Sequence, residues 1–176
     1  MATTTAPTGF GRPIWNAIKG GNQVHGVGLA PVTSIFLGAA ATFERVLFTA
    51  PASATGGYWK IDAAQFVTEV TIATHSSNTW TFALKVGTLS ADSLSVAWTN
   101  LGDAAISSDS DTHAVITADL PYSFDIDGPE NASPKLTYLA PGDSIKMTAF
   151  GGGSPVDQSA TRFTVTLFLR HSPPGR

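Results

Sequence analysis

The stretch FVTEVTIAT-HSSN-TWTFALKVG, residues Phe66–Gly87, carries the strongest β pattern in the chain. In both halves apolar side chains recur at every second position, so each half places an apolar row on one face of a strand. The polar linker His75–Asn78 separates the halves. The pattern therefore predicts a central β-hairpin rather than a helix.

The pairing register of this hairpin can also be predicted. Residues directly opposite each other in an antiparallel pair share a face, so the two apolar rows coincide when Ile72 lies opposite Phe82. The same register places Glu69 opposite Lys85 on the other face, where opposite charges favour pairing by a few tenths of a kcal/mol. Both features predict one register.

Composition limits the class of protein. A chain of 176 residues is long enough for one buried core, and its net charge of −3 offers no broad attraction to nucleic acid or to an anionic membrane. Charged residues make up only 13% of the chain, about half the usual share. We therefore expect self-association that covers much of the surface, as a trimer first and a dimer second.

The first residues, MATTTAPTGFGRP, lack a basic region followed by an apolar one, so they do not predict a secretion signal. No apolar run approaches the roughly 18 residues that span a bilayer. There is no cysteine, so disulfides and thiolate metal sites are excluded. We expect a soluble protein that is synthesised in the cytoplasm of its host.

Residues 1–42 differ from the rest of the chain. They are rich in Thr, Ala, Gly and Pro and predict an extended N-terminal arm. A disordered terminus is the alternative, but a solvated linker has little use for large apolar side chains, which need their own sandwich or a neighbour to lie on. The predicted interface residues of the arm are Trp15, Ile18, Ile35, Phe36 and Leu37.

Residues 43–170 predict the folded domain, and residues 171–176 a flexible C-terminal tail. Eight to ten short alternating segments, with turn signals between them and no amphipathic helix, indicate an all-β antiparallel sandwich or barrel. One turn is particularly clear at Ala140–Asp143, where Pro141 fixes φ and Gly142 accepts the positive φ of a type II turn.

The sequence offers no positive sign of catalysis or metal binding. The four histidines are far apart, and none has a second ligand at metal-site spacing. Asp125-x-Asp127-Gly128 resembles the start of a calcium loop, but Pro129 follows and Leu136 stands where a bidentate Glu is required. No G-x-S-x-G motif occurs. We therefore predict no catalytic, cofactor-binding or metal-binding residues, and not an enzyme.

The aromatic residues allow a second interpretation. Trp80 and Trp98 fall in register with apolar rows and are predicted to be core residues. Tyr58 and Trp59 remain as a candidate exposed aromatic patch, which would suit either sugar stacking or a protein interface. A carbohydrate-binding module is therefore the alternative function.

The Gly-, Ala- and Thr-rich arm, the Cys-free Thr-rich strands, the segment Phe82–Thr88 and the turn Pro141–Asp143 before a final strand pair together resemble small β-sandwich virion proteins of tailed bacteriophages. Head decoration (cement) proteins are the most similar, followed by neck and tail-fibre attachment modules. The resemblance implies a jelly-roll-like sandwich in the virion, commonly a homotrimer, that binds the major capsid protein or other virion subunits. It transfers no functional residue.

Overall fold

The chain forms antiparallel β-strands in a computed structural model that describes residues 30–51, 57–90, 95–110, 115–126 and 137–172. The strands within these ranges are β1 Ala30–Leu37, β2 Phe43–Thr49, β3 Tyr58–Thr68, β4 Trp80–Leu89, β5 Val96–Ser107, β6 Tyr122–Ser123, β7 Tyr138–Leu139, β8 Ser144–Gly151 and β9 Arg162–Ser172.

The strands form two sheets. The β1 sheet has the order β1-β9-β3-β6, with β7 pairing separately with β3, and the β2 sheet has the order β2-β8-β4-β5. Every strand pair is antiparallel. The prediction of an all-β antiparallel sandwich is confirmed.

The strand pairs are nested along the chain. The innermost pair is β4 with β5, outside it lies β3 with β6, then β2 with β8, and finally β1 with β9. The chain therefore runs as one long hairpin that wraps so that successive pairs fall alternately in the two sheets. This strand order is that of a jelly roll.

The alternating segments turn their apolar rows inward. In β4 the side chains of Trp80, Phe82, Leu84 and Val86 are buried, and in β9 those of Phe163, Val165, Leu167 and Leu169 are. Aromatic rings fill the space between the sheets: the ring of Phe82 lies 4.6 Å from that of Phe66 and 5.4 Å from that of Phe163, measured between centroids. The interior of the sandwich is therefore packed with side chains.

The predicted central hairpin is wrong. β3 and β4 lie in different sheets and face each other through Phe66 and Phe82. Ile72 forms a bridge with Ile116 instead of Phe82, with N–H···O distances of 2.8 and 3.1 Å.

The predicted pair of Glu69 and Lys85 is also absent. The carboxylate of Glu69 lies 3.9 Å from Arg162 of β9. Lys85 lies opposite Lys146 on one side and Asn100 on the other. Alternation specifies which side chains share a face, but not which strands are neighbours. The two apolar rows are buried equally well when the chain crosses from one sheet to the other between them, as it does here.

The boundary of the predicted arm is also corrected. Residues 30–37 are β1, which pairs along its whole length with β9 in the chain's own sandwich. At the other end, β9 continues through His171, whose ring lies 5.0 Å from that of Trp59. The sandwich therefore includes at least residues 30–37 and 171.

The turn before β8 has the predicted backbone. Gly142 has φ of 93°, and the N–H of Asp143 donates to the carbonyl of Ala140 at 3.0 Å, a normal distance for the hydrogen bond that closes a turn. The carboxylate of Asp143 accepts from the N–H groups of Ala140 at 2.9 Å and Leu89 at 3.2 Å. A buried carboxylate thus joins this turn to the end of β4.

Candidate interaction surfaces

β1 presents one side chain row to the core and one to the outside. Phe36 points inward, with its ring centroid 6.4 Å from that of Phe43 and 6.2 Å from that of Phe163. Ile35 and Leu37 point outward and remain 63% and 54% exposed. Of the predicted arm residues, Phe36 therefore belongs to the core and these two to the surface, while Trp15 and Ile18 lie outside the described residues.

The backbone of β1 alternates in the same way. The N–H of Gly38 donates to the carbonyl of Thr161 at 2.9 Å, directly after the ladder in which Leu37 lies opposite Arg162. Because backbone groups of successive residues point to opposite sides of a strand, the N–H and C=O groups of Thr33, Ile35 and Leu37 point away from β9. In the described part of the chain these groups form the open edge of the β1 sheet.

Gly38 fixes where β1 ends. A Cβ atom at this position would lie 2.5 Å from the carbonyl oxygen of Gln158 and 2.6 Å from the ring of Phe163. Only glycine fits this close approach without a shift of the neighbouring backbone. The chain therefore leaves β1 here and crosses to β2 in the other sheet.

The outer face of the β1 sheet is neutral in its centre. Thr33, Thr166 and Gln65 lie side by side across β1, β9 and β3, and the hydroxyls of Thr33 and Thr166 are 3.1 Å apart. Ion pairs are found toward the two ends of the strands, Glu69 with Arg162 at one and Asp62 with Arg170, at 2.7 Å, at the other. The centre is suited to a partner surface that is also uncharged.

The outer face of the β2 sheet is charged in its centre. The Nζ of Lys146, a residue only 8% exposed, lies 2.7 Å from the carboxylate of Glu44 and 4.1 Å from the ring centroid of Trp98. Lys85 lies directly opposite Lys146, and Glu44 and the Trp98 ring offset this like-charge contact. The prediction that Trp98 is a core residue is wrong, whereas Trp80 is buried as predicted.

This cluster was not found from the sequence. Its members come from β2, β5 and β8, and no spacing along the chain relates them. The strand order would have revealed it, because it places β2, which carries Glu44, directly beside β8, which carries Lys146. In that register Val46 of β2 and Lys85 of β4 lie opposite Lys146.

Tyr58 and Trp59 do not form one exposed patch. Successive residues of β3 point to opposite faces, and Trp59 turns inward against the ring of Phe48, 5.6 Å away. Tyr58 stays on the outer face, where its ring meets that of Tyr138 edge-on at 4.9 Å. The two tyrosines bound a shallow groove of about 420 Å³, but their perpendicular rings do not form a flat stacking platform.

A second pocket, of about 270 Å³, lies at one end of the sandwich between residues 70–80 and 154–161. Trp80 lines it, and its indole N–H donates to the carbonyl of Val156 at 2.8 Å. Gln158 also lines it, and its Oε1 is buried without a hydrogen-bond partner.

Two ionisable residues lie on the rim of this pocket. The Nδ1 of His75 accepts from the N–H groups of Ser77 and Asn78, so a neutral His75 carries its proton on Nε2. Hydrogen bonds from the backbone and the hydroxyl of Ser159 hold the pKa of Asp157 below its usual value. The pocket is large enough only for a small molecule.

No three His, Asp or Glu side chains in the described ranges are grouped as metal ligands. Within the same ranges no helix has the length and apolar character needed to cross a membrane.

No family model and no curated protein matches the sequence. Among solved structures, the chain is similar to a chain in the structure of infectious bursal disease virus, Gx strain, with 13% identity and a TM-score of 0.35. The similarity covers 78% of this chain and 32% of that one, so this chain spans about a third of its length. The jelly-roll assignment rests on the strand order alone.

Proposed function

We propose that this chain is a structural protein of a virion, and more specifically a decoration (cement) protein that binds the head of a tailed bacteriophage and stabilises it. In this proposal it is not an enzyme, it is synthesised in the host cytoplasm, and its partners are copies of itself and the major capsid protein or other virion subunits. Jelly rolls occur in viral capsid proteins, lectins and cupins.

The observation that carries the proposal is the filled interior. Rings of Phe66, Phe82 and Phe163 occupy the space between the sheets, with centroids 4.6–5.6 Å apart. A jelly roll whose interior is packed in this way acts through its outer surface. That surface has a face with a neutral, Thr-containing centre and exposed aliphatic side chains at its edge. The chain as a whole also has a low share of charged residues. These properties suit a protein that is covered by other subunits.

Homotrimer formation is the finer expectation, and it comes from the resemblance to decoration proteins. A neck or tail attachment protein is an alternative position for the same kind of structural subunit. A carbohydrate-binding module has less support, because Trp59 faces inward and the remaining tyrosine pair is perpendicular.

The test is mass spectrometry of virions purified by density gradient from cells that produce this chain, with heads and tails analysed separately. We expect the chain in the head fraction, in a fixed ratio to the major capsid protein. Heads assembled without it should open at a lower temperature than complete heads. The virion role is wrong if the chain is abundant in the producing cells and absent from the purified particles.

A further inference from the structure

The outer edge of β1 differs from the other sheet edges in the described part of the chain. The β2 sheet ends in β2 and β5, and the pairing of each with its inner neighbour is interrupted by a register shift. The far edge of the β1 sheet is β6, which is two residues long. β1 pairs with β9 over eight residues without a shift.

Soluble proteins protect open edges with charged side chains, bulges, prolines or very short strands. Ala30–Leu37 contains no ionisable side chain, and its single proline, Pro31, stands near the start of the strand. The backbone groups that point outward belong to Thr33, Ile35 and Leu37, and Ile35 and Leu37 are also the exposed aliphatic residues of the strand. The edge therefore offers regular hydrogen-bonding groups and apolar surface together.

We propose that β1 is an interface between two copies of this chain, which pair antiparallel along this edge about a two-fold axis through Ile35. Ile35 then lies opposite Ile35 of the second copy, and Thr33 lies opposite Leu37. In each of these pairs both residues direct their N–H and C=O groups at each other, so each pair exchanges two hydrogen bonds. The two β1 sheets become one continuous sheet.

The second copy fits this edge better than a charged partner does. Since β1 has no ionisable side chain, pairing with itself brings no like charges together. In the proposed register Ile35 packs against Ile35, and each Leu37 side chain lies beside the methyl group of a Thr33. A register shifted by one residue would place each outward-pointing residue of one copy opposite a residue of the other copy whose N–H and C=O groups point toward its own β9. Such a register forms no ladder of hydrogen bonds.

Because the chain contains no cysteine, a single introduced cysteine reports on this contact without interference. Residues opposite each other in a hydrogen-bonded antiparallel pair have Cα atoms about 5.5 Å apart, which a disulfide can bridge. We expect full-length Ile35→Cys to form a covalent dimer under mild oxidation on a non-reducing gel. Val46→Cys is the matched control, since Val46 is 62% exposed on the edge strand β2, against 63% for Ile35.

The register is tested by two further single-cysteine variants. Thr33→Cys alone and Leu37→Cys alone should each give no disulfide-linked dimer, because each cysteine lies about 14 Å along the strand from the same cysteine of the second copy. Mixed together, they should form a disulfide-linked heterodimer. Equal cross-linking of Ile35→Cys and Val46→Cys, or self-linking of Thr33→Cys without the heterodimer, would overturn the proposal.

A measurement without cysteine completes the test. Ile35→Lys places like charges opposite each other at the axis, so light scattering should give half the mass of the unsubstituted protein, whether the unit that pairs is a monomer or a trimer. Val46→Lys should leave the mass unchanged. An Ile35→Lys protein of unchanged mass would count against the interface. The virion role does not depend on these results, since incorporation is measured on the unsubstituted chain in particles.

Discussion

The two strands β1 and β2 occupy equivalent positions and differ in one instructive respect. Each is an edge strand of its sheet in the described part of the chain, and each exposes a β-branched side chain on its outer face. Each also directs phenylalanine toward the core, Phe36 from β1 and both Phe43 and Phe48 from β2. β2 carries Glu44 and Arg45 and has a register shift between Val46 and Phe48, whereas β1 has neither charge nor shift.

Exposed apolar area is not what distinguishes β1, the proposed interface, from β2. Ile35 and Val46 are equally exposed, so a count of exposed aliphatic residues would treat the two strands alike. The two strands differ in two other respects. The backbone of β1 is regular and can pair with a further strand, whereas that of β2 is shifted, and β2 carries charged side chains whereas β1 does not. The following predictions test this difference, beginning with the largest effect.

Removal of β1 should have the largest effect. Deleting residues 1–42 removes Val32 and Phe36 from the core, at about 2–4 kcal/mol together for partly buried side chains. It also removes the ladder with β9, at about 0.5–1.5 kcal/mol for each hydrogen bond. We expect the free energy of unfolding in urea to fall by about 5 kcal/mol or more.

Deletion of residues 1–29 is the matched control for that truncation. It keeps β1, so the difference between the urea midpoints of the two truncated proteins isolates the contribution of β1. The domain boundary predicted from the sequence, with the folded domain at residues 43–170, implies instead that the sandwich survives the loss of all 42 residues. If both truncated proteins unfold at the same midpoint, β1 is dispensable for folding and acts only as a docking strand.

The inward phenylalanines of the two strands provide the next test. Phe43 of β2 is buried against Phe163 and Trp80, with ring centroids 6.0 and 6.1 Å away, so Phe43→Ala should cost about 3–5 kcal/mol of unfolding free energy. Phe36 of β1 is only partly buried, and Phe36→Ala should cost about half as much. Phe150→Ala, at a residue 60% exposed on β8, is the control and should cost little. Equal costs for Phe36 and Phe43 would show that both edges are packed equally firmly.

The sequence predicted correctly which side chains share a buried face of a strand, but not which strands lie beside each other. The alternation in β4 and β9 identified buried rows correctly, and the Pro141–Gly142 pair identified a turn, because both signals are local. The partner of β3 is β9, about 100 residues away along the chain, and no local pattern specifies such a pairing. The same limit explains Trp98: its alternation with neighbours was recognised, but the face it lies on follows from the pairing of β5 with β4, in which Trp98 lies opposite Gly87.

The candidate interface was predicted in part for the same reason. Ile35 and Leu37 were predicted, together with Phe36, to be interface residues of an arm, because large apolar side chains stand there among Gly, Ala and Thr. That Phe36 between them belongs to the core follows from strand alternation, which becomes visible only once residues 30–37 are recognised as a strand. Which residues of β1 point their N–H and C=O groups outward depends on which of them form hydrogen bonds with β9. The side chains of β1 alone do not specify this pairing.

The charge on β2 should have the smallest effect on stability. Glu44→Gln removes the charged partner of Lys146, and the expected cost is about 1 kcal/mol because the Glu44 side chain is half exposed. This cost should diminish as salt is added, since screening weakens the ion pair. Arg45→Gln is the control on the same strand and should change the unfolding free energy by less than about 0.5 kcal/mol, because Arg45 is exposed and its 3.4 Å contact with the carbonyl of Glu44 is long.

The same two substitutions also separate the two features that protect the β2 edge. Combined with Val46→Cys, Glu44→Gln and Arg45→Gln give β2 an edge as neutral as that of β1, but the register shift between Val46 and Phe48 remains. A shifted strand cannot align successive hydrogen-bonding groups with a second strand, so we expect no more cross-linking than with Val46→Cys alone. If the triple variant cross-links as much as Ile35→Cys does, charge alone prevents β2 from pairing with a second copy. The absence of charge would then be the property that allows β1 to pair.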